Sequence, residues 1–244
     1  MADSLVIIPT YNEKENIEKM IRKVFSLSLP FHLLIVDDGS PDGTADIVKR
    51  LMNEHNGKLF MEERKGKQGL GTAYIHGFKW ALQRSYEYVF EMDCDFSHDP
   101  DDLLRLRQAC AQGGDVAVGS RYVKGGSVKN WTWERIVLSY FASLYVKLAL
   151  GVHINDTTAG FKCYRRRVLE AIDFGRIKFM GYAFQIEMKY TAHKLGFKVV
   201  EVPITFKDRT EGTSKMSLGI FQEAFWGVLQ MRFKQISPKP QATA

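Results

Sequence analysis

Short apolar runs that are rich in β-branched residues alternate with helical patterns along the first half of the chain. The runs occupy residues 5–9, 33–36, 59–61, 88–92 and 116–119. This alternation is typical of parallel βαβ units, in which each strand is followed by a helix that covers one face of the sheet. We therefore expect an α/β domain with a mostly parallel sheet, whose ligands bind beyond the carboxyl ends of the strands.

The segment after the first strand carries a helical pattern and a candidate cap. Ile17, Met20 and Val24 recur at the spacing of one helix face. Asn12 precedes them, and Glu15 follows Asn12 by three residues, as in a capping box. We therefore expect Asn12 to cap this helix.

Charge is divided unevenly between the two halves of the chain. Residues 1–118 contain 14 Lys and Arg against 19 Asp and Glu, a net charge of −5, whereas residues 119–244 contain 20 against 9, a net charge of +11. The acidic half suits a metal ion, and the basic half suits a phosphorylated substrate or an anionic lipid headgroup, unless it is simply a solvated face. The basic half has no groove-reading motif, which argues against nucleic acid as a partner.

The cysteines and the apolar segments bear on the compartment. Cys94, Cys110 and Cys163 are an odd number and lack the spacing of a zinc site or a disulfide framework, so we expect free thiols in a reducing, cytoplasmic compartment. The N-terminus shows no signal-peptide pattern. The longest charge-free apolar run of the second half, residues 136–146, is shorter than the roughly 20 residues that span a bilayer. Residues 235–244 are expected to form a disordered tail.

Acidic residues follow the second and the fourth apolar runs. Asp37 and Asp38 begin the sequence Asp-Asp-Gly-Ser-Pro-Asp-Gly, which either binds the ribose or base of a nucleotide or forms a turn without a ligand. Asp93 and Asp95 stand two residues apart at a strand end, where paired carboxylates can bind Mg²⁺ or Mn²⁺ together with a diphosphate. His98 is either a third contact there or the cap of the next helix. The chain has neither a Gly-X-Gly-X-X-Gly motif after a strand nor a Walker A motif, which argues against nicotinamide-dependent oxidoreductases and P-loop proteins.

Three further segments have two readings each. The basic, glycine-rich loop at residues 64–71 precedes a helix and suits a phosphate group, although a solvated turn has the same composition. Residues 131–150 and 216–233 have amphipathic helical patterns with aromatic residues and cationic margins. Such helices either cover the core of their own domain or lie in a membrane interface.

Several motifs occur together in the order that is seen in glycosyltransferase family 2. They are Pro-Thr-Tyr-Asn-Glu at 9–13, Val-Asp-Asp-Gly-Ser at 36–40, Gly-Lys-Gln-Gly-Leu-Gly-Thr-Ala-Tyr-Ile-His-Gly at 66–77, Met-Asp-Cys-Asp-Phe-Ser-His at 92–98, Gly-Ser-Arg-Tyr at 119–122 and Val-Pro-Ile-Thr-Phe at 202–206. Over about residues 5–229 the chain resembles the dolichyl- and polyprenyl-phosphate mannosyltransferases of that family.

The resemblance implies a single GT-A (Rossmann-like) domain at residues 1–234. Its nucleotide-sugar and metal half would be residues 1–118, and its acceptor half, with the amphipathic helices, residues 119–234. The implied reaction is inverting transfer of mannose from GDP-mannose to a polyprenyl or dolichyl phosphate, with Mg²⁺ or Mn²⁺. It would take place at the cytosolic face of a membrane, where the amphipathic helices or an anchoring partner subunit would hold the protein.

The resemblance also implies roles for individual residues. The donor-binding residues would be Pro9, Tyr11, Glu13, Val36, Asp37, Asp38, Lys67, Gly69, Asp93, Cys94, Asp95, Gln185, Arg209 and Lys215. Asp93 and Asp95 would bind the metal ion, and Ser97 stands where the family often has glutamine as a third ligand; water is the alternative, because a seryl hydroxyl is a shorter and poorer ligand. The acceptor phosphate would be bound by Arg121, Arg135 and Ser139, and the catalytic residues would be Asp93, Asp95 and Arg121. Asp156 would contact a mannose hydroxyl or cap the next element.

Two other functions remain open at this point. One is a glucosyl- or N-acetylglucosaminyltransferase that uses a uridine nucleotide and the same class of acceptor. The other is a non-catalytic protein that binds a nucleotide or a lipid phosphate, against which the intact pair Asp93 and Asp95 argues. The acceptor phosphate is ionised near neutral pH, since the second pKa of a phosphate monoester is about 6, so the expected reaction needs cations more than a strong general base.

Overall fold

A seven-stranded sheet forms the centre of the protein in a computed structural model, which describes residues 2–208 and 218–239. The strand order is β3-β2-β1-β4-β7-β5-β8, and β6 pairs separately with β9. The strands are β1 (Ser4–Thr10), β2 (His32–Asp37), β3 (Leu59–Glu63), β4 (Tyr88–Glu91), β5 (Val116–Ser120), β6 (Ser127–Lys129), β7 (Lys162–Arg165), β8 (Val199–Pro203) and β9 (Thr205–Lys207).

Helices cover both faces of this sheet. They are α1 (Ile17–Phe25), α2 (Thr44–Glu54), α3 (Leu70–Leu82), α4 (Asp102–Ala111), α5 (Trp133–Leu150), α6 (Arg166–Ala171), α7 (Tyr182–Lys194) and α8 (Leu218–Arg232). One apolar core lies between the sheet and α1, α2 and α4, and the other lies between the sheet and α3, α6 and α7. Helices α5 and α8 pack in turn on the outer side of α7. The expected α/β class is therefore confirmed.

One strand runs against the rest of the central sheet. β7 pairs antiparallel with both β4 and β5, whereas the other pairs of this sheet are parallel. The beginning of β7 consequently lies at the same edge as the carboxyl ends of β4 and β5. The sequence patterns predict the five strands of the first half but not β7, which is short and begins with a charged residue.

Three local expectations differ from the structure. α1 begins at Ile17 with Asn16 before it, and Asn12 instead has a left-handed backbone with φ of 60°. Asn12 is held there because its backbone N–H donates to Ser40 Oγ at 3.0 Å. The apolar pattern at residues 197–206 predicts one further strand, but the structure divides this segment into β8 and β9, which pair with β5 and β6 respectively. Residues 235–239, expected in a disordered tail, contact α6 and the segment after it through three hydrogen bonds; residues 240–244 lie outside the described residues.

The thiols and the helix lengths agree with the sequence analysis. Cys94, Cys110 and Cys163 are free and buried. Among residues 2–208 and 218–239, no helix combines the length and the hydropathy needed to cross a bilayer.

Candidate active site

Asp37 joins the loops that follow β1 and β2. Its carboxylate is fully buried and accepts hydrogen bonds from Thr10 Oγ1 at 2.8 Å, from the Ser40 backbone N–H at 2.8 Å and from Ser40 Oγ at 2.6 Å. All of these bonds are made within the protein, so Asp37 fixes the shape of the loop at residues 38–43. Its role in donor binding, which the resemblance implies, stays a prediction.

Asp38 is tied to the basic, glycine-rich loop. Its Oδ1 lies 2.6 Å from the Arg64 guanidinium, and both side chains are less than a tenth exposed. Arg64 also donates to Thr72 Oγ1 at 2.8 Å, in the first turn of α3. Arg64 thus connects the end of β2 with the helix that follows the loop. The sequence analysis places Arg64 in this loop without assigning it a partner.

An aromatic ring and a cation lie together between the loop after β1 and the basic, glycine-rich loop. The Lys67 ammonium lies 5.3 Å from the centre of the Tyr11 ring, which is half-buried, as are Pro9 and Glu13. Gly69, directly before α3, has φ of 96°, and a side chain there would approach Met180 at 3.3 Å. The side chain of Val36 is fully buried in the core beneath α3, so only its backbone faces the loops.

Asp93 and Asp95 follow β4 at the edge where the parallel strands end. Asp93 Oδ1 lies 3.4 Å from the Tyr74 hydroxyl, and its side chain is 38% exposed. Asp95 is buried, and its Oδ1 accepts hydrogen bonds from the Ser97 backbone N–H at 3.0 Å and from Ser97 Oγ at 2.6 Å. Ser97 Oγ therefore orients Asp95 in this structure, and its role as a metal ligand stays a prediction.

The side chain of Cys94, between the two carboxylates, points into the core. The core beneath α1, α2 and α4 contains this side chain, and burial raises the pKa of the thiol well above its usual range. Two carboxylates fit a metal ion that keeps water and phosphate ligands, as Mg²⁺ and Mn²⁺ do. Within the described residues, no group of three or more His, Cys, Asp or Glu side chains is arranged to hold a metal ion.

His98 is enclosed between this site and the second half of the chain. Its ring stacks on Phe161 with centroids 4.9 Å apart and meets Phe206 edge-on at 5.4 Å. Its Nδ1 accepts a hydrogen bond from the Asp93 backbone N–H at 3.5 Å. Burial lowers the pKa of His98 to about 4, so the ring is neutral at pH 7. His98 thus packs beside the carboxylate pair and does not cap α4.

Arg121 and Asp156 form a buried ion pair after β5. The guanidinium donates from Nε to Oδ2 and from Nη2 to Oδ1, both at 2.7 Å, and the Arg121 backbone N–H donates to Oδ2 at 2.9 Å. Nη2 also donates to Thr158 Oγ1 at 2.8 Å. Burial acts to raise the pKa of Asp156, but the Arg121 cation outweighs burial and the pKa is lowered. Asp156 therefore orients Arg121.

A second arginine lies near an aromatic ring that Arg121 also approaches. The guanidinium carbon of Arg135 lies 4.0 Å from the centre of the Trp131 ring, and that of Arg121 lies 5.4 Å from it. Arg135 Nη1 donates to Asp208 Oδ2 at 2.8 Å, and both side chains are about 30% exposed. Ser139 is half-buried one turn further along α5. Arg121 and Arg135 thus lie near one ring, Trp131, and Ser139 follows Arg135 by four residues on α5; their roles in acceptor binding stay predictions.

Gln185 lies on α7 in contact with a buried cation. Its Oε1 accepts a hydrogen bond from Lys162 Nζ, and Lys162 also pairs with Glu91 Oε2 at 3.1 Å. Sequence reasoning missed Lys162 and Glu91; the signal that could have indicated them is a charged residue within an otherwise apolar run. Arg209 and Lys215 lie outside the described residues.

The sequence is similar to those of known proteins along most of its length. Residues 5–173 match the model of glycosyl transferase family 2. A polyprenol monophosphomannose synthase of Mycolicibacterium smegmatis is 48% identical over 230 residues, which are 92% of this chain and 87% of the relative. An undecaprenyl-phosphate mannosyltransferase of Micrococcus luteus is 43% identical over 229 residues, which are 92% of this chain and 93% of the relative.

Solved structures with the same fold contain metal ions and nucleotides. A glucosyl-3-phosphoglycerate synthase of Mycobacterium tuberculosis, solved with Mn²⁺, UDP and glucosyl-3-phosphoglycerate, aligns with a TM-score of 0.68 at 17% identity over 93% of this chain and 79% of that one. A mannosyltransferase of Pyrobaculum calidifontis, solved with GDP-Man and Mn²⁺, aligns with a TM-score of 0.56 at 15% identity over 95% of this chain and 70% of that one. These likenesses show the fold, and the family match together with the two close relatives shows that this chain belongs to glycosyl transferase family 2.

Proposed function

We propose that this protein transfers mannose from GDP-mannose to a polyprenyl phosphate and produces a β-linked polyprenyl mannosyl phosphate. The observation that carries the proposal is the juxtaposition of a carboxylate pair with two arginines in a chain that is 48% identical to a polyprenol monophosphomannose synthase. Asp93 and Asp95 follow β4. Arg121 follows β5, which is separated from β4 in the sheet by β7 alone, and Arg135 lies on α5. This arrangement suits a reaction between two phosphate-bearing substrates.

The donor would lie across the loops that follow β1, β2 and β4. Tyr11 and Lys67 offer a ring and a cation to the nucleoside and its phosphates, while Arg64 and Asp38 hold the basic loop in place. A divalent ion bound to Asp93 and Asp95 would neutralise the charge that develops on the departing nucleoside diphosphate. The mannosyltransferase of Pyrobaculum calidifontis, solved with GDP-Man and Mn²⁺, supports this choice of donor and ion.

The acceptor phosphate would approach from the side of Trp131. Arg121 is held in a fixed orientation by Asp156, and Arg135 is oriented by Asp208 and by the Trp131 ring. Guanidinium groups bind phosphate oxygens through paired N–H donors. Because the acceptor is already ionised near neutral pH, the arginines need only hold it in line with the anomeric carbon, and inversion follows from a single displacement.

The outer faces of α5 and α8 support a membrane-bound acceptor. α5 turns Ser143, Val146 and Leu150 toward the protein, while much of its remaining apolar surface is exposed. Among the side chains that the structure describes, the exposed large apolar residues of the two helices are Trp133, Val137, Leu138, Tyr140, Phe141, Leu148, Phe225 and Trp226. Exposed apolar residues gathered in this way mark a protein or membrane contact. We propose that these residues place the protein on the cytosolic face of a membrane, alone or with an anchoring subunit.

The test is a transfer assay with a short polyprenyl phosphate. GDP-mannose, UDP-glucose and UDP-N-acetylglucosamine are offered in turn, with Mn²⁺ or with a chelator. We expect mannosyl transfer from GDP-mannose alone, loss of turnover with chelator, and a reduction of about 100-fold or more in the double variant Asp93→Asn with Asp95→Asn. Asp101→Asn, an exposed carboxylate of the same segment that pairs with Lys23, is the matched control.

Three results would contradict the proposal. Transfer from a uridine nucleotide would reassign the donor. Turnover that survives both the double variant and the chelator would remove the metal site from the reaction. A retained α-linked product, identified by nuclear magnetic resonance, would exclude a single displacement.

A further inference from the structure

Lys162 is a fully buried cation beside the carboxylate pair. Its side chain and that of Glu91 are both without solvent exposure, and Lys162 Nζ lies 3.1 Å from Glu91 Oε2. Lys162 on β7 is the direct partner of Glu91 on β4, and Glu91 lies two residues before Asp93. Glu91 Oε1 also accepts a hydrogen bond from the Tyr164 hydroxyl at 2.9 Å. Burial lowers the pKa of Lys162, and the Glu91 carboxylate opposes that shift.

Lys162 determines which way the amide of Gln185 faces. Lys162 Nζ donates to Gln185 Oε1, and an ammonium group can donate but not accept. The amide oxygen is therefore turned toward Lys162, and the NH₂ group is turned away from it. Gln185 is almost fully buried, so few other groups can compete for this oxygen.

The NH₂ group of Gln185 lies near Gly160 and His98. A methyl group at Gly160 would lie 3.6 Å from Gln185 Nε2 and 3.9 Å from His98 Cε1. His98 Nδ1 in turn lies 3.8 Å from Asp93 Oδ2. Because Gly160 has no side chain, one further atom has room beside Nε2, next to the histidine that neighbours Asp93.

We propose that Lys162 is a positioning residue that holds the Gln185 amide so that its NH₂ group donates to an oxygen of the donor's sugar. This inference rests on the proposed function. The ring oxygen of a sugar accepts a hydrogen bond but cannot donate one, so it needs an N–H donor such as this NH₂ group, whereas the diphosphate is served by the metal ion and the basic loop. Without Lys162 the amide can turn over and present its oxygen, and the sugar then loses its hydrogen bond.

The test compares a nucleotide with and without its sugar. Binding of GDP-mannose and of GDP is measured by calorimetry in the presence of Mn²⁺. The double variant Lys162→Met with Glu91→Gln removes both charges, so neither is left buried without its partner. We expect about tenfold weaker binding of GDP-mannose, equal to about 1.4 kcal/mol, and unchanged binding of GDP. Arg165→Met with Glu87→Gln, which removes a partly exposed ion pair at the opposite end of the same two strands, is the matched control and should change neither affinity.

A mutant cycle shows whether Lys162 acts through Gln185. Gln185→Leu is made in the wild type and in the double variant. If Lys162 acts only by orienting the amide, the two losses do not add, and the triple variant binds GDP-mannose as weakly as Gln185→Leu alone. Additive losses, equal losses for GDP and GDP-mannose, or no loss would each overturn the inference.

Two further arrangements keep the test decisive. If the double variant does not fold, Gln185→Glu replaces it: one carboxylate oxygen keeps the bond to Lys162 and the other replaces the NH₂ group. Unchanged GDP-mannose affinity in that variant overturns the inference. If the wild type instead transfers glucose from UDP-glucose, the proposed donor is wrong, and the same variants are compared with UDP-glucose and UDP.

Discussion

Replacing Asp156 by Asn should destabilise the protein strongly, because it removes the charge partner of a buried arginine. The side chain of Arg121 is 5% exposed and that of Asp156 is fully buried. Removing one partner of such a pair costs about 3–5 kcal/mol. The Asn oxygen can still accept from the Arg121 guanidinium or its backbone N–H, so we expect the lower end, about 3 kcal/mol.

Urea unfolding at pH 7 measures this loss. For a chain of this size the midpoint should fall by about 1 M, since unfolding free energies decrease by about 1–3 kcal/mol per molar urea. Asp208→Asn is the matched control: it removes the partner of Arg135, but that pair is partly exposed and should contribute at most about 1 kcal/mol.

The pH dependence has a defined sign. Because the pKa of Asp156 is lowered in the folded state from its ordinary value of 3.8, its stabilisation is present above that value and is lost as the pH falls through the folded pKa. The difference between wild type and Asp156→Asn should therefore shrink from pH 7 to pH 3. A loss below 1 kcal/mol at pH 7, or a difference that is the same at pH 3, would refute the reasoning.

Three other changes have expected outcomes. Charging Tyr140 and Phe141 to Asp should abolish liposome flotation without changing the urea midpoint, because both are about half exposed; Leu29→Asp, on a different surface, should float normally. Gly126→Ala should cost about 2 kcal/mol in urea unfolding, since its methyl group would lie 2.6 Å from the Ser120 carbonyl oxygen, whereas Gly175→Ala meets only the flexible end of a carboxylate and should be nearly neutral. Mn²⁺ with GDP, each at about 100 times its Kd, should raise the Tm of the wild type by about 5–10 °C but not that of the variant without the carboxylate pair; an equal shift in both would contradict the site.

Local patterns predict the parallel part of the fold because each strand and helix there is specified by its own residues. The five apolar runs and the acidic groups at their ends come from adjacent positions, so sequence alone places Asp93 and Asp95 at a strand end. Asn12 shows the limit of this reasoning. A capping pattern predicts a helix start there, but Ser40, which belongs to a distant loop, holds the residue in another conformation.

Long-range partners account for what the sequence does not predict at the candidate site. The family resemblance predicts that Arg121 binds the acceptor, but it does not predict that Asp156, 35 residues away, accepts its hydrogen bonds. Likewise, Lys162 in the middle of a short apolar run has no meaning until Glu91 is placed opposite it on β4. Pairing between strands that are distant in sequence depends on the topology of the sheet, and no single motif contains that topology.

Because β7 runs antiparallel to its neighbours, the segment that enters β7 lies at the edge of the sheet that carries Asp93 and Asp95. The other segments at that edge leave a strand there. Residues 151–161 connect α5 to this strand and supply Asp156, Thr158 and Gly160. The loops after β1, β2 and β4 belong to parallel strands and are separate in sequence from this connection. Changes of length or composition in one of the two groups of loops are therefore compatible with an unchanged backbone in the other.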